Sequence, residues 1–233
     1  MAAFGSLALL IALALAAYNF FAGTIALAAI ASAPALTVQP NRLQILLGRI
    51  SARISPERLA DTARRAGIAG FFAVTAAAFA LVYAVFSNDF SITYILEHSN
   101  RALPAPYKFA ALWSGQEGSL LLWAWLLGTY GFVLRLRHKT DVKLYAYAGT
   151  ILAAIQFFFL LVLNFAAPPF SLLSGAVPPD GNGLNPLLQY PEMVIHPPML
   201  YLGYVGFSVP FAFALGALMM REEVKLKIGE QAG

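Results

Sequence analysis

Five runs of about twenty or more apolar residues, separated by short polar or charged segments, leave this chain few ways to fold. A helix needs roughly 20 apolar residues to cross about 30 Å of hydrocarbon. A backbone in lipid must also satisfy its own polar groups, which a helix does within one segment. The runs predict spans over 7–33, 66–88, 116–134, 144–167 and 198–220, and so an all-α fold, a polytopic integral membrane helix bundle forming a single membrane domain. Composition agrees. Only 11% of the residues are charged, against about 25% in soluble domains. The first run exceeds the length needed, so it is expected to tilt or break near Asn19 and Gly23. It opens without Lys or Arg, unlike a cleavable signal peptide, and is read as a retained span with its N-terminus outside.

The loop charges give the orientation. Arg42, Arg49, Arg53, Arg58, Arg64 and Arg65 follow the first span. Arg135, Arg137, Lys139 and Lys143 follow the third, and Arg221, Lys225 and Lys227 follow the fifth. That places 13 of the 15 Lys and Arg residues on one face, with Arg101 and Lys108 opposite. By the positive-inside rule the basic face is cytoplasmic, so residues 89–113 and 168–195 lie outside. The net charge of +4 thus reflects topology and lipid contact, and no nucleic-acid partner is expected. Residues 89–113 mix aromatic and polar groups, as an interfacial segment does. Residues 168–195 are too rich in Pro, Gly and Asn for regular helix and are expected to form an ordered or semi-ordered outer loop.

The chain has no cysteine, which excludes disulfides, thiol catalysis and covalent haem attachment to this chain through its own Cys-x-x-Cys-His. His196 stands out at the outer mouth of the fifth span. Pro197 and Pro198 follow it, and proline suits the first turn of a helix, so the pair is expected to fix the helix start. The residues leave two readings of His196: an interfacial imidazole bonded to water or a loop carbonyl, or a neutral ligand for iron. Glu117, beside Gln116, begins the third span. It is either a functional acid near hydrocarbon or a wet first-turn acid favoured by the helix dipole. Gly115 and Gly118 would admit a neighbouring helix or a flat ligand. Trp113 fits an interfacial belt, whereas Trp123 and Trp125 lie deeper and are expected to pack between helices. His98 and His138 lack convergent partners and are read as solvated. No catalytic constellation is visible.

Two strings carry a resemblance: NDFSITYILEHSNRALPAPYKFAALWSGQEGSLLLW at 88–123 and LNPLLQYPEMVIHPPMLYLGYVGFSVPFAFALGAL at 184–218. Both closely resemble the CcmF family, the large membrane subunit of the cytochrome c maturation machinery. A paralogue dedicated to a nitrite reductase cytochrome carries similar strings. The resemblance implies a haem lyase, in which haem from the chaperone CcmE is joined through its vinyl groups to the Cys-x-x-Cys-His thiols of apocytochrome c. It implies b-type haem in transit, CcmH and CcmI as partner subunits, and a bacterial inner membrane (or a plant mitochondrial one). The family's HPP motif supplies an outer-face axial haem ligand, which here is His196. Pro197, Pro198, Trp113, Gln116 and Glu117 would surround it.

The family's tryptophan-rich segment, its second outer histidine and the paired histidines of its permanent membrane haem have no counterpart in this sequence. The chain is therefore expected to be an N-terminal portion, completed by a C-terminal CcmF chain and inactive alone. The alternative is a scaffold or permease-like bundle that binds no haem and uses Glu117 in a polar path. Against it, Gln156 and Asn164 are the only notable polar residues of the fourth span.

Overall fold

A computed structural model describes residues 1–31, 55–137 and 141–232, with side chains as far as 221. Arg42, Arg49, Arg53, His138 and Lys139 lie outside the described residues, as do the side chains of Lys225 and Lys227. Among the described residues eight α-helices follow in order: α1 (Ala2–Ala31), α2 (Pro56–Phe86), α3 (Thr93–His98), α4 (Ala105–Ala111), α5 (Gln116–Leu136), α6 (Val142–Phe165), α7 (Pro191–Gly206) and α8 (Ser208–Ala232). No β-strand occurs among the described residues. Five apolar stretches are long enough to span a bilayer, the last formed by α7 and α8 together. The protein is a multi-pass membrane helix bundle.

Local chemistry explains the helix starts. Ser55 caps α2 by accepting from the Arg58 N–H at 3.4 Å, with Pro56 in the first turn. Asp61 pairs with Arg64 and Arg65 on the next turns, so α2 begins ten residues before the apolar run. Asp141 caps α6 through the Leu144 N–H at 3.0 Å. The expected break in α1 does not occur. Asn19 and Gly23 are buried inside an unbroken helix. With its amide oriented to suit its neighbours, Asn19 donates to Ala63 O at 2.9 Å and accepts from Arg135, and Gly23 lets Thr150 of α6 come close.

Helices α1, α2, α5 and α6 close a four-helix ring, each packed on two others, while α7 and α8 lean on its outside against α5 and α6. The ring interior is built of small residues, including Ala12, Ala16, Ala77, Ala80 and Ala84. Lipid is as apolar as a side chain, so helices gain by close backbone approach rather than by hiding large groups. Several of the aromatic groups accordingly face outward: Phe72, Phe79, Tyr83, Phe158 and Phe165 are all exposed.

The chain ends sort as the charges predicted. The Met1 ammonium lies 3.5 Å from Asp89, and the Phe170 ring sits against Gly5, so the N-terminus and both outer loops share one end. At the other end Arg64 donates to Arg135 O at 3.4 Å. Residues 89–113 are not a flat interfacial segment. They form α3 and α4, with Ile92, Tyr94, Ile95, Ala110 and Ala111 buried as a cap on the ring. An antiparallel bridge between Ile92 and Leu172 ties the second outer loop to this cap.

Candidate functional site

The fifth span corrects the expected role of the prolines. Helix α7 starts at Pro191, so Pro197 and Pro198 lie inside it. An internal proline removes one N–H donor and crowds the carbonyl four residues back. Pro197 therefore strips Met193 O of its helical donor. Trp113 supplies the replacement, its Nε1–H donating to Met193 O at 2.9 Å. The exchange ties the start of α7 to the junction of α4 and α5. At the far end Pro210 denies Gly206 O its donor and the helix breaks at Phe207, beside Tyr130, whose hydroxyl donates to Leu202 O at 2.8 Å.

His196 sits in the second turn of α7 with its side chain exposed, bonded to none of the described residues. Ile195, Met199 and Leu200 beside it are exposed as well. Two turns on, Gly203 opens onto space, with no atom within 4 Å of where a Cβ would stand. The result is a flat apolar strip with one imidazole at its outer end. Pro197 and Pro198 are partly buried under it. Behind it the Tyr201 hydroxyl reaches Ser119 Oγ of α5 at 3.3 Å. Trp123 packs edge-on to Tyr201 at 5.7 Å and against Phe159, between helices as expected, and the Trp125 indole N–H donates to Thr75 Oγ1 at 3.2 Å. Gln116 is exposed and Glu117 half-buried in the first turn of α5.

Sequence reasoning missed His98. It is half-buried rather than solvated, stacked on Tyr94 at 4.5 Å, with Nδ1 2.9 Å from Tyr94 O. A carbonyl can only accept, so Nδ1 carries a proton and Nε2 lies on the opposite side of the ring. That face lies against Gly115. The Tyr94 hydroxyl donates to Ala111 O at 2.8 Å and accepts from the Gly115 N–H at 3.3 Å. Burial pushes its pKa up, keeping the donor proton in place. Gly115 and Gly118 thus admit α3. The available signal was the i, i+4 spacing of Tyr94 and His98. Lys108 was also unforeseen: it is buried, donating to Asn88 Oδ1 at 2.6 Å.

The outer loop is pinned by Asp180, whose carboxylate accepts from the Arg101 N–H at 2.9 Å and the Gly181 N–H at 2.8 Å. The Arg101 N–H bond holds its pKa below the ordinary carboxylate value. A depressed folded pKa contributes stability above the unfolded value of about 3.9 and loses it as pH falls through the folded one. Hydrogen-exchange protection of Arg101 and Gly181 is expected to fall in that acidic window, and an Asp180→Asn variant is expected to lack the pH dependence. Protection that stays flat in the unaltered protein would contradict it.

The family model for cytochrome C assembly protein matches residues 113–232, about half of the chain. A relative described as cytochrome c-type biogenesis protein CcmF, from Pseudomonas aeruginosa, is 49% identical over 153 residues, covering 64% of this chain and 23% of the relative. The cytochrome c-type biogenesis protein NrfE of Haemophilus influenzae is 38% identical over 149 residues, covering 62% and 23%. A solved structure titled cytochrome c heme lyase CcmF overlays with a TM-score of 0.69 at 27% identity, covering 94% of this chain and 31% of that one. The matched region thus spans about a quarter of the length of these curated relatives.

Proposed function

The chain belongs to the cytochrome c assembly protein family, and we propose that it serves c-type cytochrome maturation at the outer face of a bacterial inner membrane, holding haem through His196. The observation that carries this reading is the exposed His196 imidazole on the open apolar strip of α7. A haem group fits such a strip, which offers one nitrogen ligand for iron and an apolar surface for the ring edge. When bound, the haem supplies the vinyl groups to which cysteine thiols add. The chain has no cysteine, so the thiols belong to apocytochrome c, with CcmE as the haem donor and CcmH and CcmI as thiol-handling partners.

The residues divide the work. His196 ligates. Pro197 and Pro198 shape α7, and Trp113 is a positioning residue that fixes the helix start. Gln116 and Glu117 form a polar rim at the neighbouring mouth of α5. His196 is the nitrogen ligand that this chain would offer to the iron.

Titrating the purified chain with haem in detergent tests the assignment. A Soret shift is expected in the unaltered protein, lost in His196→Gly and restored by added imidazole. His98→Gln is expected to keep it. No shift in the unaltered protein, or loss with His98→Gln instead of His196→Gly, would overturn the reading.

A further inference from the structure

Inside the α1–α2–α5–α6 ring lies a cavity of about 30 Å³ that plays no part in haem holding. Small residues such as Ala12, Gly70 and Gly131 line it, with three polar side chains: Asn19, Arg135 and Gln156. Arg135 belongs to the last turn of α5, but helical side chains lean toward the N-terminus, so it folds back into the bundle. Its Nη1 and Nε lie close against the backbone at Gly131 and Gly67, where any side chain would collide. Nη2 donates to Asn19 Oδ1 at 2.8 Å and to Gly149 O at 3.4 Å. Among the described residues no carboxylate pairs with it, and its remaining N–H groups meet no acceptor. Gln156 spends its Nε2–H on Ala124 O at 3.1 Å, which leaves Oε1 buried without a donor.

The cavity is therefore lined by one residue with spare donors and another with a spare acceptor. An anion would satisfy Arg135 but oppose Gln156 Oε1; a cation would do the reverse. Water accepts from one and donates to the other. One water needs roughly 10–15 Å³ of such space, so the cavity has room for water. We propose that this ring binds structural water between Arg135 and Gln156, which keeps an arginine solvated within the bundle without a counter-ion.

X-ray hydroxyl-radical labelling of the full chain in lipid nanodiscs tests this, because radicals made from bound water label the side chains beside it. Leu127 and Leu152 line the cavity, each 2% exposed, whereas Leu9 at 2% and Leu163 at 0% do not. Leu127 and Leu152 are expected to label several-fold faster than Leu9 and Leu163, and to fall to their rate in Gln156→Leu. Gln156→Met, closer in length, serves if the leucine variant does not fold. Equal labelling of the two pairs, or labelling of Leu127 that survives loss of the amide, would overturn the proposal.

Discussion

Gly118→Ala is expected to destabilise the protein by about 3 kcal/mol, combining an overpacked contact with a disrupted buried hydrogen bond. A Cβ at 118 would fall inside contact distance of the Leu112 carbonyl and the Tyr94 hydroxyl. The carbonyl is backbone and cannot step aside. The hydroxyl is the link that joins α3 to the α4–α5 turn, through Ala111 O and the Gly115 N–H. Moving it releases the cap that carries His98. Gly149→Ala is the control: nothing lies within 4 Å of its would-be Cβ, and alanine is the better helix former by about 0.8–1 kcal/mol. Thermal unfolding in detergent is expected to separate the two in opposite directions. A Gly118→Ala protein as stable as Gly149→Ala would show that the cap does not rest on that contact.

The second large effect is expected at Trp113. Trp113→Phe keeps most of the ring but removes the N–H that Met193 O depends on. Leaving a buried carbonyl without its donor costs about 1–3 kcal/mol. The cost exists only because Pro197 has no N–H of its own. Pro197→Ala restores a backbone donor four residues after Met193, so Trp113→Phe is expected to cost far less in that background. Neighbouring sites that share a partner couple in this way. If His196 holds haem as proposed, haem affinity is expected to follow the same pattern, since the start of α7 presents His196. An equal cost in both backgrounds would mean that Trp113 acts by packing alone.

Much of the architecture was legible along the chain. Spans, topology and the grouping of outer loops depend on hydropathy and on where Arg and Lys stand, and both are properties of local sequence. The HPP string pointed to His196 only through the family resemblance. The internal prolines were harder to read. Pro197 and Pro198 look like a helix start when only local propensity is weighed, yet Pro191 starts α7, and the donor lost at Pro197 is replaced by an indole 80 residues away in sequence. Asn19 looked like a break in α1 and proved to be a buried bridge to Ala63 and Arg135.

By itself, then, the sequence determined a five-span bundle with its basic residues gathered at one end and one histidine near the other, because insertion in a bilayer follows apolar length and loop charge. Tertiary structure alone decided which helices close the ring, why Gly115 and Gly118 must lack side chains, and that Arg135 turns inward. Each of these depends on a partner dozens of residues distant, and in a medium without water every orphaned donor or acceptor must find that partner inside the protein.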